Sequence, residues 1–255
     1  MSLPADLEAT FLHLSNLARR RAKSASPAPP FQDKGSLAFD PVTALDRDIE
    51  RAMRLVLLER FPDHGVWGEE DGWSNEGAAQ HWSLDPVDGT RALICGLPSW
   101  CVLVGLLHKG RHVAGMIDCP TLGELIVSID GVTMRDGAPV VTSGCENLGS
   151  ARLATTDPYL FDGGEAAAFG AVRGMVLLTR YGLDALAYAR VATGDIDLVV
   201  ETGLKRHDLD ALVPVIRGAG GHIGDWMGGE DWDGGRIVAA ASRALYDEAV
   251  VILSR

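Results

Sequence analysis

The apolar residues of this chain change rhythm once, and that change limits what the chain can fold into. Over residues 82–129 they come as short runs bounded by glycine and proline, at 82–84, 102–107, 113–117 and 125–129. Such runs read as strands, the middle two joined by the turn residues Lys109-Gly110, so this stretch predicts an antiparallel meander. The chain turns polar around residues 144–149. Beyond it, strand and helix patterns alternate: strand 153–155, helix 164–172, strand 175–178, helix 183–192, strand 196–200, helix 208–217, strand 237–239 and a helix from Leu245. The half spanning 1–149 therefore reads as α+β and the half spanning 150–255 as α/β. Pro214 deletes a backbone donor inside helix 208–217 and predicts a kink there, before Gly218-Ala219-Gly220-Gly221 ends it.

Ahead of the meander, Ser2 before Pro4, then Leu3, Leu7, Phe11, Leu14 and Leu17, predict an N-capped amphipathic helix. It ends in Arg19, Arg20, Arg21 and Lys23, a basic cluster that suits a helix C-terminus. Residues 24–36 carry Pro27, Pro29 and Pro30 and read as a loop of thirteen residues, a length that tends to be functional. Thr43 starts a second helix through Ile49, Met53 and Leu57 to Phe61-Pro62. On another face of it, Asp46 and Glu50 stand one turn apart.

Charge narrows the function. The 255 residues hold 35 acids against 23 bases, a formal net charge of −12, which argues against binding a nucleic-acid backbone. No run of 18 apolar residues exists to span a membrane. The N-terminus is broken by Asp6, Glu8, His13 and Asn16 and reads as a helix, not a signal peptide. Cys95, Cys101, Cys119 and Cys145 include no C-x-x-C pair, so reduced thiols in a cytoplasmic protein are the expectation. The chain also lacks a G-x-S-x-G elbow, a phosphate-binding G-x-x-x-x-G-K loop, an H-E-x-x-H helix and a dinucleotide-binding G-x-G-x-x-G.

Carboxylates remain. Gly68-Glu69-Glu70-Asp71 is followed, after a short interval, by Leu84-Asp85-Pro86-Val87-Asp88-Gly89-Thr90. Read alone, the acidic triplet is a solvated turn and Asp-Gly a tight turn after a strand. Together, Asp85, the Val87 carbonyl and Asp88 offer hard oxygen donors of the kind Mg²⁺ takes. Gly89, Thr90 and Arg91 follow with backbone N–H groups which, at the start of a helical turn, make a phosphate site. Acids for metal beside amides for phosphate describe metal-assisted phosphate ester hydrolysis.

These residues resemble the inositol monophosphatase superfamily of magnesium-dependent phosphatases. Its hallmarks stand here in order as residues 42–46 (VTALD), 68–70 (GEE), 85–90 (DPVDGT) and Asp208 ahead of Ala219-Gly220-Gly221. The strings DGTRALICGLPSW, LATTDPYLF, RYGLDALAY and VETGLKRHD look most like the histidinol-phosphate phosphatase branch. The resemblance implies a layered αβαβα sandwich, the first half binding metal and phosphate and the second supplying Asp208 and the substrate pocket. It implies two or three Mg²⁺ per subunit. Glu69, Asp85 and the Val87 carbonyl hold one; Asp85, Asp88 and Asp208 a second; Glu69 and Glu70 a looser third. Thr90 and Asp46 form the pair that orients and deprotonates an attacking water, in line and without a phosphoenzyme. The Gly89 and Thr90 amides bind phosphate, with Val87, Asp88, Arg91 and Asp208 beside them, and Lys34 corresponds to the family's loop lysine near the metals. His207 stands where the family often has Trp, a position read as packing, and Asp210 is an alternative to Asp208. Histidinol carries an amine and an imidazole, so its pocket calls for carboxylates free of metal: Asp184, which otherwise reads as a helix cap, and Glu201, with Arg180 nearby. The expected reaction is hydrolysis of L-histidinol phosphate by a cytoplasmic homodimer, the alternatives being an inositol 1-phosphate or other polyol phosphatase and a non-catalytic scaffold.

Overall fold

The computed structural model describes residues 6–35 and 39–255; the helix start expected at Ser2, Leu3 and Pro4 lies outside the described residues. Helix α1 (Leu7–Ser24) buries Leu7, Phe11, Leu14, Leu17 and Ala18, the stripe its spacing calls for. Within the stretch read as a loop, β1 (Phe31–Asp33) pairs antiparallel with β2 (Pro41–Thr43). Thr43 then caps α2 (Ala44–Arg60), its hydroxyl accepting from the Leu45 amide. Strands β3 (Gly65–Gly68) and β4 (Gly72–Ser74) flank the acidic triplet. The meander follows as β5 (Gln80–Asp88), the short helix α3 (Thr90–Ile94), β6 (Cys101–His108), β7 (Arg111–Cys119), β8 (Glu124–Ile129), β9 (Val132–Arg135) and β10 (Ala138–Pro139). These strands form one eight-stranded sheet in the order β10-β9-β8-β7-β6-β5-β3-β4. Only the β3–β5 pair is parallel.

The second half contributes β11 (Arg152–Thr155), α4 (Gly163–Arg173), β12 (Leu178–Tyr181), α5 (Ala185–Ala192), β13 (Leu198–Glu201), α6 (Arg206–Leu209), α7 (Leu212–Gly218), β14 (His222–Asp225), β15 (Ile237–Ala240) and α8 (Arg243–Leu253). Its five strands run β12-β11-β13-β15-β14, parallel across β12, β11 and β13 and antiparallel beyond. Strand β12 lies later than residues 175–178. Met175 and Leu177 are exposed, so this apolar stretch marks the approach to an edge strand and not the strand itself.

Packing produces five layers. Leu14, Ile49, Met53 and Leu57 of α1 and α2 meet Trp82, Val102, Val104 and Leu106 on one face of the large sheet. Alternate residues Cys101, Leu103, Ile117 and Cys119 point the other way, to α5 and α7, which in turn cover Val199 and Ala239 of the small sheet. Helices α4 and α8 close the far side around Phe169, Leu245 and Tyr246. Burial on both faces explains why β6 reads as an unbroken apolar run. The order is αβαβα.

The single helix expected over 208–217 is two, α6 and α7, with Asp210 and Ala211 between them. Pro214 has no N–H to return to the Asp210 carbonyl and its ring crowds that carbonyl, so the helix breaks there instead of kinking. The break seats on the sheet through a cross-strand glycine pair, Gly105 and Gly115. A Cβ at Gly105 meets the Asp210 carbonyl carbon at 2.6 Å, and one at Gly115 collides with the Ala211 carbonyl oxygen.

Gly105→Ala therefore overpacks a backbone contact, and we expect a loss of about 1–3 kcal/mol, read as a lower urea midpoint with unchanged slope. Gly164→Ala, where a Cβ meets nothing within 4 Å, serves as the control and leaves the midpoint in place or raises it.

Candidate active site

Strand β5 ends in Asp85-Pro86-Val87-Asp88, and its pairing with β6 slips between Asp85 and Asp88. Such a bulge re-aims side chains at the end of a sheet, and proline suits it because it has no N–H for the ladder. Asp208 arrives from α6 in the other half. Ligand oxygens of Asp85, Asp88 and Asp208 all lie within 4.8 Å of one another. Backbone amides hold them: Val87 N–H donates to Asp85 Oδ1 at 3.1 Å, Ala185 N–H to Asp88 Oδ2 at 2.6 Å, and Lys205 N–H to Asp208 Oδ2 at 2.6 Å. Burial pushes Asp85 well above the usual carboxylate range, and the charges of Glu69, Asp88 and Asp208 add to it. Burial, then Asp184 and Asp208, do the same to Asp88, and burial raises Asp208. An all-oxygen set with unbalanced negative charge fits a hard divalent cation such as Mg²⁺.

The acidic triplet is organised from below by Glu50, which the sequence reading left without a role. Glu50 accepts the Glu70 amide at 2.8 Å and the Asp71 amide at 3.0 Å, and Arg54 donates to it at 2.8 Å. Gly68 is required beside it, since a Cβ there collides with the Glu50 carboxylate. The available signal was the spacing of Asp46, Glu50 and Arg54 at every fourth residue along one face of α2. Lys34, just after β1, sets its ammonium 2.7 Å from Glu69 Oε1 and 2.6 Å from Glu70 Oε1. Burial works against that charge, but the two carboxylates outweigh it and raise the Lys34 amine.

Asp46 Oδ2 takes the Thr43 amide at 3.1 Å and the Thr43 hydroxyl. Its Oδ1 is left for the Thr90 hydroxyl at 3.3 Å, which also lies 3.0 Å from the Val87 carbonyl. Gly89 initiates α3 with φ +85°, a conformation glycine adopts freely, and the following helical amides of Thr90 and Arg91 have no intrahelical acceptor. Arg91 donates to the Phe39 carbonyl at 2.8 Å.

Asp184 does not cap α5: its side chain makes no cap hydrogen bond, and it sits at φ +48°. Its carboxylate stands over Gly89, where a Cβ comes within 3.0 Å of Oδ2. Burial raises Asp184 to about 6, Arg91 pulling it down and Asp208 pushing it up. Glu201 differs from expectation. It is buried and accepts the Thr156 amide at 2.7 Å, the Thr156 hydroxyl at 3.0 Å and the Thr155 hydroxyl at 3.2 Å. Burial lifts it to about 8 against those bonds, so it is largely neutral at pH 7 and no free anion for an amine. Arg180 is exposed on β12 and makes no hydrogen bond to the carboxylate cluster among the described residues.

Asp208, and not Asp210, joins Asp85 and Asp88 in the cluster; Asp210 Oδ1 takes His112 at 2.8 Å and Arg206 at 3.0 Å. His207 packs on Trp67 with ring centroids 5.7 Å apart, as a packing position should, but its Nε2 also lies 3.4 Å from Asp208 Oδ1. Tyr188, one turn beyond Asp184, is buried with a hydroxyl that has no partner among the described residues. Burial raises it, and the charges of Glu201, Asp88 and Asp208 raise it further. Nothing in the sequence separated it from a core aromatic.

A family model described as the inositol monophosphatase family matches residues 10–254. The Arabidopsis thaliana protein called bifunctional phosphatase IMPL2, chloroplastic, is 44% identical over 193 residues, which is 74% of this chain and 56% of that protein's length. A histidinol-phosphatase of Chlorobaculum parvum is 32% identical over 207 residues, covering 80% of each chain. The solved structure of an inositol monophosphatase from Zymomonas mobilis superposes with a TM-score of 0.87 at 34% identity, covering 99% of this chain and 100% of that one.

Glu201 gives the metal-free protein a pH dependence with a definite sign. Its carboxyl lies at about 8 in the folded chain against an ordinary 4.5, so the folded state holds a proton that the unfolded state releases between those values. Stability contributed by this group falls as pH rises from 4.5 to about 8 and is level above it. Glu201→Gln keeps a polar group of the same shape in that pocket and removes this group's share of the slope. Urea unfolding in chelator should show the variant gaining on wild type from pH 5 to pH 8, by on the order of a few kcal/mol.

Proposed function

The chain belongs to the inositol monophosphatase family and is a phosphatase of that family, and from that premise we propose that it hydrolyses L-histidinol phosphate to L-histidinol and phosphate with Mg²⁺. The observation that carries the substrate is Asp184, a carboxylate held at φ +48° beside Gly89, spent on no cap and on no metal-cluster bond. A left-handed φ at a non-glycine residue is costly, and such costs concentrate at functional sites. The amine of histidinol is cationic at neutral pH and pairs with Asp184, whereas inositol brings no charge. The similarity to the Chlorobaculum parvum histidinol-phosphatase supports the same reading, and the Zymomonas mobilis structure keeps inositol 1-phosphate as the second candidate.

Glu69, Asp85, the Val87 carbonyl, Asp88 and Asp208 are the groups that would hold cations, and a further ion at Glu70 competes with Lys34. When bound, Mg²⁺ supplies a Lewis acid that acidifies water and neutralises phosphoryl oxygens. Thr90 orients the attacking water and passes its proton toward Asp46 Oδ1, the one Asp46 oxygen that Thr43 leaves open. The amides of Gly89 and Thr90 bind phosphate oxygens as the water oxygen forms its bond to phosphorus, the ester P–O bond breaks, and the departing oxygen takes a proton from solvent to leave as the alcohol. The four free cysteines support a reducing, cytoplasmic setting. Exposed Met175, Leu177, Leu178 and Tyr181 around β12 support a homodimer.

Phosphate release from histidinol phosphate and inositol 1-phosphate, with Mg²⁺ and in chelator, tests the proposal. We expect the higher kcat/KM on histidinol phosphate and no turnover in chelator; preference for inositol 1-phosphate sinks the substrate, and no turnover on any ester sinks the enzyme in favour of a scaffold. Asp184→Ala should cost about 1.5–3 kcal/mol in kcat/KM on histidinol phosphate, the scale of a charge-assisted hydrogen bond, and nearly nothing on glycerol phosphate. Thr90→Ala and Asp46→Asn should each lower kcat about 10²-fold with little change in KM, measured in steady state.

A further inference from the structure

Cys101 and Cys119 are fully buried with their sulfurs 3.3 Å apart. Cys101 opens β6 and Cys119 closes β7, and the antiparallel register that pairs Val102 with Asp118 sets the two cysteines opposite one another on the last rung. Cα atoms facing across such a ladder stand about 4.5–5.5 Å apart, within the roughly 4.4–6.8 Å that a disulfide spans. Beyond Cys119 the chain turns through exposed Thr121, Leu122 and Gly123, so this rung lies at an end of the ladder, where opening is local. While it is closed, burial, the neighbouring Cys119 and the charges of Asp88 and Asp184 hold the Cys101 thiol well above the usual range and protonated. The same rung reaches the carboxylate cluster, because Cys101 is also the β6 partner of Asp88.

We propose that Cys101 and Cys119 are an oxidation site, a dithiol that a peroxide converts to a disulfide, and that the closed bond shifts Asp88 and weakens cation binding at the carboxylate cluster. The bond itself follows from the sulfur geometry; its effect on the cluster rests on the metal-dependent phosphatase reading above. One thiol gives up its proton and its sulfur attacks a peroxide oxygen; an S–O bond forms, the O–O bond breaks, and the departing hydroxide takes that proton away as water. The sulfur of the second thiol then attacks the sulfenic sulfur; the S–S bond forms, the S–O bond breaks, and a second water leaves with the second proton. The two sulfurs together lose two electrons, and one peroxide is reduced to two waters. Closing the sulfurs to about 2.05 Å draws Cys101 toward β7 and away from Asp88, its partner on β5.

Hydrogen peroxide treatment of the full chain under native conditions tests this with wild type and with Cys95→Ser/Cys145→Ser, which keeps only the buried pair. Each protein is then unfolded, alkylated with iodoacetamide and digested without reductant. A peptide bearing Cys101 linked to one bearing Cys119 is expected in both proteins. Full alkylation of Cys101 and Cys119 after peroxide, or linkage of either to Cys95 or Cys145, overturns the site. Mg²⁺ affinity, measured by calorimetry, should fall about tenfold on oxidation, the scale of disturbing a group behind a metal ligand, and return with dithiothreitol. Cys119→Ala and Cys101→Ala should each form no linked peptide and show no such loss of Mg²⁺ affinity; a loss of the same size in both variants overturns the assignment to the disulfide. A linked pair with unchanged Mg²⁺ affinity overturns the coupling to Asp88. Failure of the reduced wild type to bind Mg²⁺ sinks the metal-dependent reading and, with the linked peptide present, leaves the oxidation site standing.

Discussion

Three aspartates are held within 4.8 Å of one another, burial raising each of them and neighbouring carboxylates adding to it, and the rest of the structure is arranged around that repulsion. In a partly desolvated site like charges interact strongly, and a fold can answer with basic side chains or leave the charge for a ligand. Here the aspartates are oriented by the neutral amides of Val87, Ala185 and Lys205. Amides fix direction without supplying a full positive charge, so the cluster keeps its affinity for a cation. The nearby acids are treated differently. Glu69 and Glu70 meet Lys34, and Glu50 meets Arg54. The chain balances the acids that shape the loop and leaves unbalanced the ones at the centre.

Much of this was legible in the residues, because the chemistry imposes adjacency. Asp85 and Asp88 stand together since both flank one bulge, and Glu69 and Glu70 share one turn between paired strands. Thr43, Asp46 and Thr90 meet because a helix cap and a helix start converge on one carboxylate. What stayed hidden depends on partners distant in sequence. Glu50 looks like a surface acid until the acidic turn folds over it. Glu201 looks like an available anion until β11 brings Thr155 and Thr156 to it and burial keeps its proton. Asp184 looks like a cap because caps are read from sequence position, whereas its backbone conformation decides otherwise. The fold followed the same division. Layers and most strands follow from periodicity, while the edge strand β12 was misplaced because an edge has no second partner to bury its apolar approach.

The two halves meet where α6 turns into α7, and that junction is fixed at several points. Gly105 and Gly115 open a dent on neighbouring strands, and the Asp210–Ala211 backbone fills it. His112 on β7 bonds the Asp210 carboxylate at 2.8 Å, and Pro214 ensures that the helix stops where the dent begins. Asp208 sits two residues before this seat. Its position relative to Asp85 and Asp88 is thus set by the large sheet, although Asp208 itself is contributed by the other half.

That arrangement separates chemistry from specificity. The clustered acids and the Thr90–Asp46 pair stand on β5 and on α2, α3 and α6, which pack against the large sheet. Asp184 comes from the other side, from the turn between β12 and α5, and lies over Gly89. The family, and not the fold by itself, identifies a phosphatase, and under our proposal the substrate is chosen at the margin of the sheet. Asp184 stands where the two meet. It adjoins Gly89, and its neighbour Ala185 gives its amide to Asp88, so under our proposal a cationic group paired with Asp184 would lie against the turn assigned to phosphate, coupling recognition of the alcohol to placement of the bond to be broken.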